Sequence, residues 1–302
     1  MLRKILFYSV ISFTFLNFVN LNAMLSSPQV EEKIFCSRSV KVKVSPTVDI
    51  AFKKVFGEEK NKGILIHFLN SILERTTDPI VDLQFANTEI HPETLTDKLS
   101  RLDVLVQTSK NEIINIEIQV KNTGNIVDRS LYYASKLISQ SLSSGQSYQS
   151  LPKFIMINLL GYKAFNDETR HRTVALMDTV KHEKYTDMLE FHFFELPKYT
   201  TTATNLAESW ISFLKNPNDD NFTNPQTPKE FTAAREALLM LEKDSIFFTQ
   251  YEQREKDTRD QISALEFAVQ EVVKRMKSSS LLSAEQIAQF TGLTKEQVES
   301  IN

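Results

Sequence analysis

The chain has 302 residues, of which 41% are hydrophobic and 24% are charged, so it can bury a substantial core and is expected to be soluble. Its formal net charge of -3 excludes a global polycation, so nucleic acid could bind only a local basic surface. None of its six glycines forms a dinucleotide-binding or P-loop pattern, and no nucleotide cofactor is expected. The chain has a single cysteine and five scattered histidines, which argues against an internal disulfide or a zinc site. A site in which carboxylates hold a hard cation is the kind of metal site that remains.

Residues 1–23 have the pattern of a targeting segment. A short basic start precedes an uncharged, mostly apolar stretch from Ile5 to Leu21, which a small-residue cleavage site follows. Export is therefore favoured. An uncleaved membrane anchor, or translation from Met24 to give a cytoplasmic protein, are the alternatives. Residues 24–45 are predicted to be an irregular leader.

The region 46–215 is expected to fold as one mixed α/β domain. It begins with a helix or helix pair that Thr47 or Asp49 can cap and that is interrupted near Gly57. The pattern then predicts three strands, a helix and two strands, in that order. These are Ile80–Ile90, Arg101–Thr108, Glu112–Lys121, Asp128–Ser141, Phe154–Leu160 and Leu189–Leu196.

A proline-containing stretch at 216–229 is expected to link this domain to a helical extension at 230–302. The first helices predicted there are Phe231–Leu241 and Asp244–Lys277. Two capping boxes, which start at Ser283 and Thr294, flank Gly292 and predict a helix-turn-helix-like end. Acidic residues outnumber the single lysine of this end, so a packing or protein-contact role is favoured over DNA binding.

Two of the predicted strands carry acids on what is expected to be a common face. Apolar and polar residues alternate along both, which puts Asp103 on one strand and Glu117 and Gln119 on the other opposite the apolar side. The apolar residues are Leu102, Val104, Val106, Ile114, Ile116, Ile118 and Val120. A hairpin around 109–111 that matches the apolar faces brings the three polar side chains together. Sheet neighbours lie roughly 5 to 8 Å apart at Cβ, so two carboxylates there can share a cation.

Such a pair of acids suits phosphodiester hydrolysis. Mg²⁺ binds through one or two carboxylates, waters and phosphate oxygens, and it makes a bound water more acidic. Gln119 can orient a water or a phosphate oxygen, but its neutral amide is neither a base nor a positive charge. The alternative is that Asp103, Glu117 and Gln119 only line the solvated face of an antiparallel sheet.

Five short segments carry a resemblance to a known family. They are Asp49-Ile-Ala-Phe52-Lys53-Lys54-Val-Phe56, Arg101-Leu-Asp103-Val, Ile116-Glu117-Ile-Gln119, Arg129-Ser-Leu-Tyr132-Tyr133 and Phe194-Glu195-Leu196. In this order they resemble the Rpn family of recombination-promoting nucleases and transposase-like proteins, in the PD-(D/E)XK superfamily. The resemblance covers residues 46 to about 200. It implies an α/β fold with a restriction-endonuclease-like mixed sheet flanked by helices, to which the α-helical C-terminal extension is added.

The resemblance also implies a function: a Mg²⁺-dependent DNA endonuclease linked to recombination or mobile elements, with Mn²⁺ as a substitute ion. Asp103 and Glu117 would be its metal ligands, and Gln119 stands where the wider superfamily usually has lysine. Asp49 is either a further acid of the catalytic centre or a helix cap. Lys53 and Arg129 are candidate DNA-phosphate contacts, although surface lysines more often only solvate a helix.

The expected partner is DNA, and a homodimer is left open. Membrane contact is expected only if the N-terminal segment stays uncleaved. The competing hypothesis is a catalytically inactive nuclease-like module, exported or not, that binds nucleic acid or protein.

Overall fold

The computed structural model describes residues 41–90, 100–200, 202–279 and 281–301. The predicted targeting segment and most of the predicted leader lie outside these residues. Val42 and Val44, at the end of that leader, are buried in the main core, so apolar side chains before residue 46 already contribute to it. Within the described ranges, no helix is long and apolar enough to cross a membrane.

Helices and strands follow the predicted order closely. The strands are β1 (Leu83–Phe85), β2 (Glu89–Ile90), β3 (Ser100–Arg101), β4 (Val104–Thr108), β5 (Glu112–Gln119), β6 (Lys153–Leu160), β7 (His171–Ala175) and β8 (Leu189–Glu195). The α-helices are α1 (Asp49–Phe56), α2 (Lys62–Ile72), α3 (Ile126–Gln140), α4 (Leu206–Lys215), α5 (Lys229–Lys243), α6 (Ser245–Ser278), α7 (Ala284–Thr291) and α8 (Lys295–Ser300). The continuous strand predicted over 80–90 is wrong, since only 83–85 and 89–90 pair. β7 has no predicted counterpart because its sequence lacks a buried apolar alternation.

Six strands form one mixed sheet in the order β1-β4-β5-β6-β8-β7, and β2 pairs with β3 separately. β5, β6 and β8 are parallel, while β1, β4 and β7 run antiparallel to their neighbours. The predicted hairpin is confirmed, since β4 and β5 pair with Val104 opposite Ile116. Asn111 in the turn has a φ of 58°, in the left-handed region that asparagine tolerates. The mixed α/β class predicted from the sequence is thus confirmed.

The two faces of the sheet bury different layers. Ile114, Ile116 and Ile118 of β5 lie in the main core with side chains of α1, α2, α4 and α5, and that core includes Trp210. The opposite face is covered by α3, whose Tyr133, Ala134 and Leu137 pack there. Asn115 and Glu117 on that face are therefore buried, while Gln119 at the end of β5 is partly exposed.

The alternation predicted that Leu102 shares the face of Val104 and Val106, and this prediction is wrong. Leu102 packs with Leu105 and Tyr133 on the α3 side. Residue 103 is a bend between β3 and β4, and the bend interrupts the period of two that a continuous strand would impose. The bend thus lets Leu102 depart from the alternation that Val104 and Val106 follow.

The main core continues past the stretch predicted as a linker. Phe222, Phe231 and Leu238 are buried in it, followed by Phe247 and Tyr251 at the start of α6. The predicted linker and the first part of the predicted extension therefore pack on the α/β domain. The division at 216–229 stays a prediction, but it does not mark the end of the apolar core.

The far end of α6 carries a second, small core. Val273 of α6 is buried there with Ile287 of α7 and Val298 of α8. Both predicted capping boxes are present, at Ser283 and Thr294, and Gly292 ends α7 with a φ of 72°. Two short capped helices thus lie where the sequence predicted a helix-turn-helix-like end, and that description stays a prediction.

Gly161 lies close to the backbone of Val120 where β5 and β6 end side by side. A Cβ on Gly161 would lie 3.0 Å from Val120 Cα, whereas one on Gly63 in α2 would meet nothing within 4 Å. We expect Gly161→Ala to lower the free energy of unfolding by about 1–3 kcal/mol. Gly63→Ala is the matched control and should raise it by roughly 0.5–1 kcal/mol. Urea denaturation measures both, and equal stabilities of the two variants would contradict the tight approach at Val120.

Candidate active site

Asp103 and Glu117 meet where β4 begins and β5 nears its end. The register that pairs Val104 with Ile116 puts Asp103 beside Glu117. The backbone N–H of Asp103 donates to Glu117 Oε1 at 3.3 Å, and the backbone N–H of Ile118 donates to Asp103 Oδ2 at 2.9 Å. The structure thus brings together the two acids that the sequence alternation paired.

The carboxylate of Glu117 is buried with weak partners. The residue is 5% exposed. Asn115 Nδ2 lies 3.4 Å from Glu117 Oε1, and Arg129 Nη2 lies 3.4 Å from Glu117 Oε2. These are long hydrogen bonds, so they replace only part of the hydration that the carboxylate loses on burial.

The second oxygen of Asp103 faces a lysine. Lys53 Nζ lies 3.0 Å from Asp103 Oδ1. Lys53 is on α1, which buries Phe52 and Phe56 in the main core and thereby fixes the position of Lys53 beside the sheet. Sequence reasoning missed this pair, because no local pattern connects a helix with a bend so far along the chain.

Both carboxyl groups are pushed toward their protonated forms. Burial, and after it the charge of Asp103, raises the pKa of Glu117 to about 8. Burial also raises the pKa of Asp103, against the opposing charge of Lys53. Two carboxyl groups buried next to each other have too little positive charge nearby to offset the free-energy cost of ionising both. A cation placed between them would supply that charge.

The donor atoms fit a hard divalent cation. Carboxylate and amide oxygens are the ligands that Mg²⁺ and Mn²⁺ accept. Asn115 Oδ1, beside Glu117, is buried and has no hydrogen-bond partner among the described residues. Those residues contain no group of three or more His, Cys, Asp or Glu side chains placed to hold a metal. A cation here would therefore have two carboxylate ligands, Asp103 and Glu117, and complete its shell with water and substrate.

The amide of Gln119 binds a partner other than the two acids. Its Nε2 donates to Thr123 Oγ1 at 3.1 Å, and that hydroxyl donates to Asn125 Oδ1 at 2.6 Å. These contacts tie Gln119 to the loop between β5 and α3. The structure therefore does not bring the amide of Gln119 into hydrogen-bond contact with Asp103 or Glu117.

Asp49 has a partner that the sequence did not indicate. Arg254 of α6 binds its carboxylate with two hydrogen bonds, Nε to Oδ1 at 3.0 Å and Nη2 to Oδ2 at 2.6 Å. Burial raises the pKa of Asp49, but the hydrogen bonds and charge of Arg254 outweigh it and leave the pKa below its usual value. The predicted helix cap is wrong for Thr47 and Asp49: Val48 is the N-cap, and no described side chain caps the helix there.

Arg129 lies on the first turn of α3, over the site. Its guanidinium carbon is 5.2 Å from the centre of the Tyr133 ring, and its side chain is 40% exposed. Tyr133 is buried while Tyr132 is exposed, so one tyrosine of the pair belongs to the core. Arg129 can thus contact Glu117 and still reach a ligand that approaches from solvent.

Comparison with known proteins identifies one family. Residues 46–268 match the family model described as PD-(D/E)XK nuclease family transposase. The match includes Asp49, Asp103, Glu117, Gln119 and Arg129, and it extends through α5 into α6, which agrees with the continuous core. No curated protein and no solved structure matches the chain.

Proposed function

Because the chain belongs to the PD-(D/E)XK nuclease family transposases, we propose that it is a Mg²⁺-dependent DNA endonuclease in which Asp103 and Glu117 hold the cation. Nuclease families of this kind generally use a divalent metal, and Mn²⁺ is the expected substitute. The observation that carries the proposal is the buried pair of acids, in which the pKa of Glu117 is raised to about 8. Burying two adjacent carboxylates is costly unless a ligand compensates their charge.

Each acid of the proposed centre accepts a hydrogen bond from a different group of β5. The hydrogen bond from the Ile118 N–H orients Asp103, and the Asn115 amide orients Glu117. The bound cation would polarise the scissile phosphate and make a water molecule a better nucleophile. Asp103 and Glu117 would bind the cation. Because α3 packs on this face of the sheet, it would keep bulk water away from Glu117.

The remaining predicted residues have supporting parts. Arg129 and Lys53 would contact phosphate oxygens at the open edge of the site, where both side chains are partly exposed. Gln119 would orient a water or a phosphate oxygen only after leaving Thr123. Asp49, held by Arg254, would act on the centre through its charge and not as a direct ligand.

The recombination or mobile-element setting belongs to the same proposal and rests on the family description alone. The alternative is a relative that has lost cleavage and only binds nucleic acid or protein. Gln119 favours this alternative, because the strand position two residues after Glu117 then carries a neutral amide, which binds Thr123, and no charged group. Cleavage assays separate the two functions.

The test is metal-dependent nicking of supercoiled plasmid DNA. We expect cleavage by the wild-type protein with Mg²⁺ or Mn²⁺, and a loss of at least about 100-fold in Asp103→Ala and in Glu117→Ala, because each removes a metal ligand. Asp128→Ala is the matched control, since Asp128 is an exposed acid in the first turn of α3 and precedes Arg129 in the sequence. No cleavage by the wild-type protein, or equal cleavage by all four proteins, would refute the proposal.

A further inference from the structure

The proposed active site has a positive charge that comes from helix α1 and not from β5, the strand that carries Glu117. Cleavage of a phosphodiester gathers negative charge on the phosphate oxygens, and a fixed cation close to them stabilises the transition state. On β5, the residue two positions after Glu117 is the neutral Gln119, and its amide is engaged by Thr123. A positive side chain that adds to the charge of the proposed cation at the reacting phosphate would therefore come from another element.

Two cationic side chains in the described part of the chain lie against the acid pair. Arg129 contacts Glu117 at 3.4 Å, and Lys53 contacts Asp103 at 3.0 Å. The lysine is closer and less exposed, with 29% of its side chain accessible compared with 40% for the arginine. Lys53 is therefore the cation held more firmly at this centre.

The two oxygens of Asp103 explain why Lys53 is held there. Oδ2 accepts the Ile118 N–H of β5, and Oδ1 faces Lys53. The first contact fixes the carboxylate to the sheet, so the second fixes the ammonium group beside Glu117's strand. A lysine ammonium has three donors on a flexible stem, so it can bind Asp103 and a phosphate oxygen at once.

The neighbouring lysine, Lys54, forms its ion pair away from the two acids. Lys54 lies about 100° further round α1, where its Nζ pairs with Glu58 at 2.7 Å and half of its side chain is exposed. The two lysines are adjacent, have the same charge and lie on the same helix. They differ in whether they reach the acid pair.

We propose that Lys53 is a catalytic residue of this nuclease, and that from α1 it supplies the positive charge at the scissile phosphate that Gln119 cannot supply from β5. The inference rests on the proposed function, because it assigns a role within the same cleavage reaction. It differs from a general DNA-phosphate contact, which would strengthen binding of substrate and transition state alike.

Single-turnover cleavage of a labelled duplex, with Mg²⁺ and wild-type protein as the reference, tests the assignment. We expect Lys53→Met to lower the cleavage rate at saturating protein by about 100-fold, with less than about a threefold change in the Kd for DNA. Lys54→Met is the matched control and should keep the wild-type rate. Lys53→Arg retains the charge and should cleave faster than Lys53→Met.

The double variant Lys53→Met with Gln119→Lys provides the sharpest readout. A lysine at 119 restores a positive charge from the strand, so this variant should recover at least about tenfold in rate over Lys53→Met. An unchanged rate in Lys53→Met, a weaker Kd without a slower rate, or a double variant no faster than Lys53→Met overturns the inference while the nuclease function stands. A wild-type protein that cuts no DNA overturns both. Circular dichroism confirms that each variant is folded.

Discussion

We expect Glu117→Gln to abolish DNA cleavage and, in the absence of metal, to make the protein more stable at pH 8. Glutamine has nearly the same size as glutamate and keeps an acceptor for the Asn115 amide, but it has no charge. Burial and the charge of Asp103 raise the pKa of Glu117 to about 8 in the fold, whereas an unfolded glutamate has a pKa of about 4.3. The ionised carboxylate is therefore the destabilising form.

The pH dependence follows from that shift. Between about pH 4.3 and pH 8 the folded protein binds a proton at Glu117 that the unfolded chain has released, so stability falls as pH rises through this range. The variant lacks this loss, and at pH 8 it should be more stable than the wild-type protein by roughly 2–4 kcal/mol. Urea denaturation at pH 5 and pH 8, in EDTA, measures the difference.

Glu112→Gln is the matched control, with the same substitution on the same strand. Burial raises the pKa of Glu112, but two hydrogen bonds from Arg75, at 2.7 and 2.8 Å, and its charge leave the pKa below the usual value. The ionised carboxylate of Glu112 therefore stabilises the fold, in contrast to that of Glu117, and Glu112→Gln should lower the stability at pH 8. If both variants change stability in the same direction, Glu117 is not under electrostatic strain.

Lys198→Met is expected to be the most destabilising single substitution among those considered. Lys198 and Glu195 form a buried ion pair at 2.6 Å, and each side chain is 1% exposed. Lys198 also donates to the backbone carbonyls of Phe165 and Thr169, and Glu195 Oε1 accepts the backbone N–H of Phe165. Removing the lysine leaves a buried carboxylate without its cation, which costs about 3–5 kcal/mol.

Lys184→Met is the comparison for this effect. Lys184 also pairs with acids, Asp187 and Glu190, but its side chain is 38% exposed. Its loss should cost less than about 1 kcal/mol. Thermal melting of the two variants at pH 7 gives the contrast, and a small, equal shift in both would show that the Glu195 pair is not a major support of the loop at 161–170.

The sequence predicted the centre of the site because its signal is local. The alternation in β4 and β5, and the turn between them, suffice to put Asp103 beside Glu117. The same reasoning failed at Leu102, since a bend at residue 103 breaks the strand period. It also left a solvated face open as the alternative, because a strand pattern does not reveal that α3 covers that side.

The contacts that depend on tertiary packing were not predictable in this way. Lys53 reaches Asp103 from α1, and Arg254 reaches Asp49 from α6; neither pair has a spacing that identifies it in the sequence. The extent of the core was missed for a similar reason. Prolines at 217, 225 and 228 are typical of a linker, yet Phe222 and Phe231 bury their rings in the main core.

Whether Asp103 and Glu117 share one divalent cation is tested most directly by calorimetric titration with Mn²⁺ at pH 7 in buffers of different ionisation enthalpy. The pKa of about 8 means that Glu117 is largely protonated before the ion binds, so binding should release close to one proton. We expect this proton release in the wild-type protein and its loss, with much weaker binding, in Glu117→Gln. Equally tight binding by the variant, with the same proton release, would contradict the metal centre.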